Sequence, residues 1–237
     1  MSEPYEALVS ASILNADFSR LDRVVHKMER AGADRLHLDV MDGHFVDNIT
    51  FGPDVVAAFR RLTEMPLDVH LMISEPARYI DRFIEADPQS ITFHVESSED
   101  GEQKQAAIEA IHEAGKQAGL AVSPDTPVDA VEPWLSELDI IMIMSVYPGW
   151  GGQGFIPETA PKIGEARLRL AQTGRGGRVH VDGGVNSKTA EIVGRHGIDV
   201  CVVGSALFQR GQDASDEVEL VKSLARQGYE AASASIG

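Results

Sequence analysis

Three short apolar runs end in residues that can bind metal or move protons: His37-Leu38-Asp39, His70-Leu71-Met72 and His180-Val181-Asp182-Gly183-Gly184. A strand turns successive side chains to opposite faces, so His37 and Asp39 share one side. Two imidazoles and two carboxylates, drawn together from separate strand ends, could hold a divalent cation. Asp39 and Asp182 would then form a carboxylate pair beside it. Such a set suits removal of a proton next to a carbonyl, with the cation holding the negative charge that develops. A lone histidine at a strand end is readily explained by packing, and this holds for His37, His70, His94 or His180 taken singly. A carboxylate closing an apolar strand is harder to explain, because its desolvation costs energy unless it is paired or bound to a cation. His180 falls on the face of Asp182 one pleat deeper, which points to packing.

A second group is rich in glycine. Gly149-Trp150-Gly151-Gly152 lies in one loop, Gly183-Gly184 in another and Gly204-Ser205 in a third, each after an apolar run. Glycine lets the backbone approach an anion and present its N–H groups. Met41, Met72 and Met144 close three of the runs. They either fill core or form an apolar collar around reacting carbons.

These residues need a scaffold. Strands are expected at Leu8–Ile13, Arg35–Val40, Leu67–Met72, Ser90–His94, Gly119–Val122, Ile140–Val146, Arg178–Val181 and Val200–Val203. Helices are expected between them at Ser19–Ala31, Pro53–Thr63, Ala77–Ala86, Glu102–Ala118, Val128–Glu137, Glu158–Thr173, Ser187–His196 and Asp216–Ala232. Ile140-Ile141-Met142-Ile143-Met144 is apolar without alternation, as suits a parallel strand covered on both faces. Eight strand–helix units in 237 residues fit a single-domain TIM (β/α)8 barrel spanning residues 1–237. A doubly wound open sheet shares this alternation. The chemistry favours the barrel: its residues close units 2, 3 and 7, and a closed barrel brings those ends to one mouth. TIM barrels also often bind phosphate after strands 7 and 8.

The bulk composition narrows the function. Hydrophobic residues make up 43% and charged residues 24%, as in ordinary globular proteins. A net charge of −16 without a basic cluster argues against nucleic-acid binding. No apolar run reaches membrane-spanning length and no secretory leader pattern opens the chain, so no membrane partner and a cytoplasmic location are expected. The single cysteine, Cys201, sits in an apolar run and reads as a buried, inert thiol.

The chain resembles the ribulose-phosphate 3-epimerase family over nearly its full length. The resemblance rests on Ser12-Ile13-Leu14-Asn15-Ala16-Asp17-Phe18, His37 through Val46, Asn48-Ile49-Thr50-Phe51-Gly52-Pro53 and Asp68-Val69-His70-Leu71-Met72. It continues in Met144-Ser145-Val146, Pro148-Gly149, Gly151-Gly152-Gln153, Val181-Asp182-Gly183-Gly184-Val185 and Gly204-Ser205-Ala206. The family implies an isomerase of carbohydrate metabolism, in the pentose phosphate pathway, that interconverts D-ribulose 5-phosphate and D-xylulose 5-phosphate. It implies one divalent ion (Zn, Fe, Mn or Co) on His37, Asp39, His70 and Asp182, with no nucleotide cofactor. Asp39 and Asp182 would exchange the C3 proton through a metal-stabilised enediolate, Asp39 as acceptor and Asp182 as donor in the forward direction. Ser12 and His70 would contact substrate, the three methionines would line the reaction centre, and Gly149 to Gly152, Gly183-Gly184 and Gly204-Ser205 would surround the sugar phosphate. A homo-oligomer is also implied.

The chain departs from the family's usual text at Ala11, Asp47, Ser123, Tyr147 and Trp150. Tyr147 and Trp150 bear on substrate preference. The alternatives are a 3-epimerase of another ketose phosphate, such as a hexulose 6-phosphate, and a non-catalytic sugar-phosphate-binding barrel. Decarboxylases and aldol lyases on similar barrels carry Asp-x-Lys-x-x-Asp, and here Met41 stands where the lysine would be.

Overall fold

All eight expected runs form strands in the computed structural model, which describes residues 5–209, 211 and 213–235. They are β1 (Leu8–Ser12), β2 (Arg35–Met41), β3 (Leu67–Met72), β4 (Ser90–His94), β5 (Gln117–Val122), β6 (Ile140–Met144), β7 (Arg178–Asp182) and β8 (Val200–Val203). Each pairs in parallel with the next, and β8 pairs with β1, closing a barrel in chain order. The open-sheet alternative is thereby excluded, and the fold is the TIM barrel.

Among the described residues seven α-helices cover the outside: α1 (Leu21–Arg30), α2 (Pro53–Leu62), α3 (Pro76–Glu85), α4 (Gly101–Glu113), α5 (Ala160–Thr173), α6 (Ala190–Arg195) and α7 (Ala214–Ala234). Among the described residues no helix is long and apolar enough to cross a membrane. The stretch Val128–Glu137 was expected as an α-helix and is instead a 3-10 helix with Pro133 inside it. Proline lacks the N–H that an α-helical turn would use there. Helix α4 stops at Glu113, short of the expected Ala118. Gly115 takes φ +72° and ends the helix, with Lys116 N–H bonded to the Ile111 carbonyl. Gln117 and Ala118 are thereby freed to begin β5. The expected Ser187–His196 helix shortens to α6 because Ser187 is taken up by Glu217, which accepts from both its N–H (2.7 Å) and its hydroxyl (2.9 Å).

The apolar core lies between sheet and helices. Outward residues Leu36, Leu38, Val69, Leu71, Ile91 and Phe93 pack there with Phe59 and Phe83, and each such burial is worth about 1.5–3 kcal/mol. Inside the barrel the pattern inverts. Ser10, Ser12, His37, Asp39, Asp68, His70, Ser90 and His94 are buried there, beside apolar clusters of Ala121, Met142, Met144 and Val146 and of Met41, Val46 and Met72. A polar interior at this depth needs internal partners, and those partners build the site.

Candidate active site

Strand register gathers the residues. Across β2 and β3, His37 stands beside Asp68, Asp39 beside His70 and Met41 beside Met72. Ser12 on β1 stands beside His37, and Met144 on β6 beside Asp182 on β7. Just past β6 the Ser145 hydroxyl donates to the Gly183 carbonyl (2.6 Å) and its N–H to the Asp182 carbonyl (2.7 Å), fixing the end of β7. Strand β6 ends at Met144, two residues short of the expected Val146.

One ligand atom from each of His37, Asp39, His70 and Asp182 lies within 4.8 Å of the others. His37 Nε2 is 3.3 Å from Asp39 Oδ1 and 3.6 Å from Asp182 Oδ2. His70 Nδ1 is 3.3 Å from each of those two oxygens. His37 Nε2 is buried without a hydrogen-bond partner. A nitrogen orphaned against two carboxylates is the environment a cation would complete, and the mixed N/O donor set fits a divalent metal. Deeper in the barrel, Asp68 accepts from His37 Nδ1 (3.1 Å), Ser90 Oγ (2.7 Å) and Ser10 Oγ (3.2 Å). Nδ1 of His37 therefore donates to Asp68, and Nε2 is aimed at the centre of the four, where a cation would take the place of its proton.

The electrostatics follow from this crowding. Burial opposes charge on His37, yet Asp39 and Asp182 facing it hold the imidazole well above its usual range. His70 is raised against its burial by the same two carboxylates. Burial pushes the Asp39 carboxyl up, but His37 and His70 overcome it and hold Asp39 below the usual range. Asp182 also ends lowered, although burial and the charge of Asp39 both work against its ionisation. The same side chains would hold a divalent cation in place of the imidazole protons.

A cavity of about 270 Å³ opens above this cluster at the C-terminal ends of the strands. Asp39, Asp182 and Ser12 line it together with Met41, Met72 and Met144. The Ser12 hydroxyl donates to Asp39 Oδ2 at 2.7 Å. Gly149, Trp150, Gly151 and Gly152 overhang one side, and Gly183, Gly184, Gly204 and Ser205 line another. His37 and His70 have no exposed surface and lie behind the wall. Of the residues singled out from the sequence, Ser12, Asp39, Asp182, the three methionines and the loop residues line this mouth, whereas His37 and His70 lie behind it and His180 below. The glycines differ in why they are glycine. Gly184 has φ +64°, and a Cβ there would meet Phe155 N at 2.4 Å, whereas at Gly204 it would find ordinary contact distances.

The sequence reading missed Asn15, Gln153, Asn186 and Gln209, which also line the cavity, and Asp68 and Glu96 behind it. His94 it weighed only as a lone ligand. A usable signal existed: Asp68-Val69-His70 and His94-Val95-Glu96 repeat the same-face spacing of His37-Leu38-Asp39. His180 is fully buried one layer below Asp182, with Nδ1 3.4 Å from Asp68 Oδ2, in keeping with packing.

A closed (β/α)8 barrel with a buried His/Asp cluster at the floor of its C-terminal mouth is the build of a barrel enzyme, whose active site sits at that face. The pattern of the ribulose-phosphate 3 epimerase family matches residues 8–208. The ribulose-phosphate 3-epimerase of Bacillus subtilis (strain 168) is 44% identical over 201 residues, 84% of this chain and 91% of that protein. That of Escherichia coli (strain K12) is 40% identical over 224 residues, 94% of this chain and 98% of that protein. The chain belongs to the ribulose-phosphate 3-epimerase family. Among solved structures, 3-hexulose-6-phosphate synthase from Salmonella typhimurium superposes with a TM-score of 0.67 at 18% identity, over 93% of this chain and 99% of that one. At that identity the likeness is one of fold.

Proposed function

We propose that this chain interconverts D-ribulose 5-phosphate and D-xylulose 5-phosphate by moving one proton at C3 between two carboxylates. The observation that carries this reading is the pair Asp39 and Asp182, both at the cavity floor and both within 3.3 Å of His70 Nδ1. Asp39 comes from β2 and Asp182 from β7, so they approach the same space from different sides of the mouth. Inversion of one carbon needs that arrangement. One carboxylate removes the proton from one face of the planar intermediate, and the other returns a proton to the opposite face.

The hydroxyl of Ser12 on Asp39 stabilises that residue's ionised form, which suits the proton acceptor in the forward direction. Among the described residues no hydroxyl donates to the Asp182 carboxylate, which suits the donor, the roles exchanging in reverse. His37, Asp39, His70 and Asp182 would hold one divalent ion, which when bound supplies Lewis-acid stabilisation of the negative charge that develops on the substrate oxygens. Met41, Met72 and Met144 keep water from the reacting carbon. The backbone of Gly183-Gly184 and Gly204-Ser205 would take the phosphate, supplying N–H groups to an anion that the chain's net charge of −16 otherwise repels. Met41 offers no base where lysine-dependent barrels carry one.

The test is NMR of D-ribulose 5-phosphate in D2O with purified protein. Deuterium at C3 together with D-xylulose 5-phosphate, lost on chelation and restored by a divalent metal, is expected. Neither exchange nor product in metal-loaded protein would remove the pentulose assignment and bring hexulose phosphates forward.

A further inference from the structure

His70 reaches outward as well as inward. While Nδ1 faces Asp39 and Asp182, Nε2 lies 3.0 Å from Nε2 of His94 at the end of β4. Two ring nitrogens at that distance share one hydrogen, so one imidazole donates and the other accepts. The far side of His94 decides which. Its Nδ1 is 3.0 Å from Glu96 Oε2. An ionised carboxylate only accepts, so His94 carries its hydrogen on Nδ1. Neutral His94 then accepts at Nε2, and His70 donates from its own Nε2. That leaves Nδ1 of His70 facing the centre of the site, where a bound cation would replace the proton it shares with Asp39 and Asp182.

The arrangement is held from several sides. Glu96 Oε1 accepts from the Ser123 N–H at 2.7 Å, which orients the carboxylate. The Phe45 ring packs on His94 with centroids 4.8 Å apart, and both histidines are fully buried. His37 obtains the equivalent instruction directly from Asp68. His70 has no carboxylate of its own on that side and obtains it through an intervening ring.

We propose that Glu96 is a positioning residue that acts through His94 to set the tautomer of His70, presenting its Nδ1 as a ligand. The metal-binding consequence rests on the proposed function above; the tautomers themselves do not.

Glu96→Gln separates the two. The Ser123 N–H still needs an acceptor and takes the new amide oxygen, so the amide nitrogen faces His94 Nδ1 and donates to it. His94 then carries its hydrogen on Nε2, donates to His70, and drives the His70 hydrogen onto Nδ1. The measurement is long-range proton–nitrogen NMR of the full chain with 15N-labelled histidine, metal-free and loaded with Zn2+, with zinc affinity read by chelator competition. In the wild type, His94 protonated at Nδ1 and His70 at Nε2 are expected. In Glu96→Gln, His94 shifts to the Nε2–H form and zinc affinity falls 10–100-fold, the size usual for loss of a ligand's orienting partner. His94 protonated at Nε2 in the wild type overturns the proposal, as does a folded Glu96→Gln protein that keeps wild-type zinc affinity. Should the variant not fold, the wild-type tautomers decide alone. If the wild type binds no zinc, the metal reading and the ligand role proposed here both fail, while the metal-free spectra still settle the relay.

Discussion

The two sides of the barrel mouth are built by different means. On β2, β3 and β4, joined by Asp182 at the end of β7, the working groups are side chains with little exposed surface, held by polar neighbours: His37 by Asp68, Asp39 by Ser12, His94 by Glu96, Asp182 by His70. After β6, β7 and β8 the cavity is lined largely by backbone, with Gly149, Gly152, Gly183 and Gly184 all at positive φ. Tyr147 and Trp150, at the rim of that second side, are 52% and 60% exposed. The contrast follows from the work each side would do. Proton transfer and metal binding depend on the angles of particular atoms, which buried strands hold. An anion is met by N–H groups from any residue type, provided the chain can approach closely. The strand side should therefore fail through chemistry, and the loop side through backbone geometry.

The largest effects belong to the carboxylates. Asp39→Asn and Asp182→Asn are each expected to lower kcat by on the order of 10³-fold or more, with the circular dichroism of the barrel unchanged. Asparagine keeps the shape and removes the proton-carrying group. Near-normal turnover in either variant would break the two-base reading, and with it the assignment of chemistry to strand-borne side chains.

On the loop side the sharpest test is Gly184→Ala. Its φ of +64° is poorly tolerated by alanine, and the new Cβ would lie 2.4 Å from Phe155 N and 2.7 Å from Phe155 Cα. A stability loss of roughly 2–3 kcal/mol is expected, seen as a lowered Tm, with KM raised more than kcat is lowered. A variant of wild-type Tm and KM would show that this loop bends freely and that glycine there serves no close approach.

How much of this was legible beforehand tracks the same contrast. The metal-capable quartet was readable because His37 and Asp39 share a strand face and because carboxylates seldom close apolar strands without reason. The glycines were readable by position after strands. Asp68 and Glu96 offered only a same-face spacing with His70 and His94; it takes the register of β2 against β3 to set Asp68 on His37, and the approach of β4 to β3 to set His94, with Glu96 behind it, on His70. The helix boundaries slipped where local chemistry outweighed periodicity, at Gly115 and at Pro133. Asn15, on the loop after β1, enters the cavity through a turn that no periodic pattern announces.

Glu96 gives a pH-dependent version of the comparison. Burial disfavours its charge, but the hydrogen bond and charge interaction with His94, with further hydrogen bonds from Thr126 and the Ser123 N–H, outweigh it and bring the carboxyl from 4.5 down to about 2. His94 is itself held below its usual range, chiefly by burial. A carboxyl lowered in the folded chain stabilises fully above its ordinary pKa and loses that contribution as pH falls through the folded value. With its side chain 25% exposed, the contribution is discounted for solvent to on the order of 1–2 kcal/mol. Urea unfolding of metal-free protein should show the gap between wild type and Glu96→Gln widest near pH 6 and narrowing toward pH 3. A gap independent of pH would mean that the carboxylate's charge contributes nothing to folding.

The smallest effect is expected at the rim. Tyr147 donates its hydroxyl to Asp125, 3.0 Å from Oδ2, and both groups are exposed. Its backbone carbonyl accepts from Gln153 Nε2 (2.7 Å), and Asn48 Nδ2 ties the same loop at the Gly149 carbonyl (2.7 Å). Neither of those bonds uses the phenol. Tyr147→Phe should therefore shift stability by less than about 0.5 kcal/mol and leave kcat/KM for D-ribulose 5-phosphate within roughly threefold, which is about 0.6 kcal/mol. Since solvent replaces the lost hydroxyl contact at little cost, a larger fall confined to KM would mean that the phenol itself reaches substrate. The rim would then select substrate by side chain, as the strand side does, and the division between the two halves of the mouth would narrow to the glycines alone.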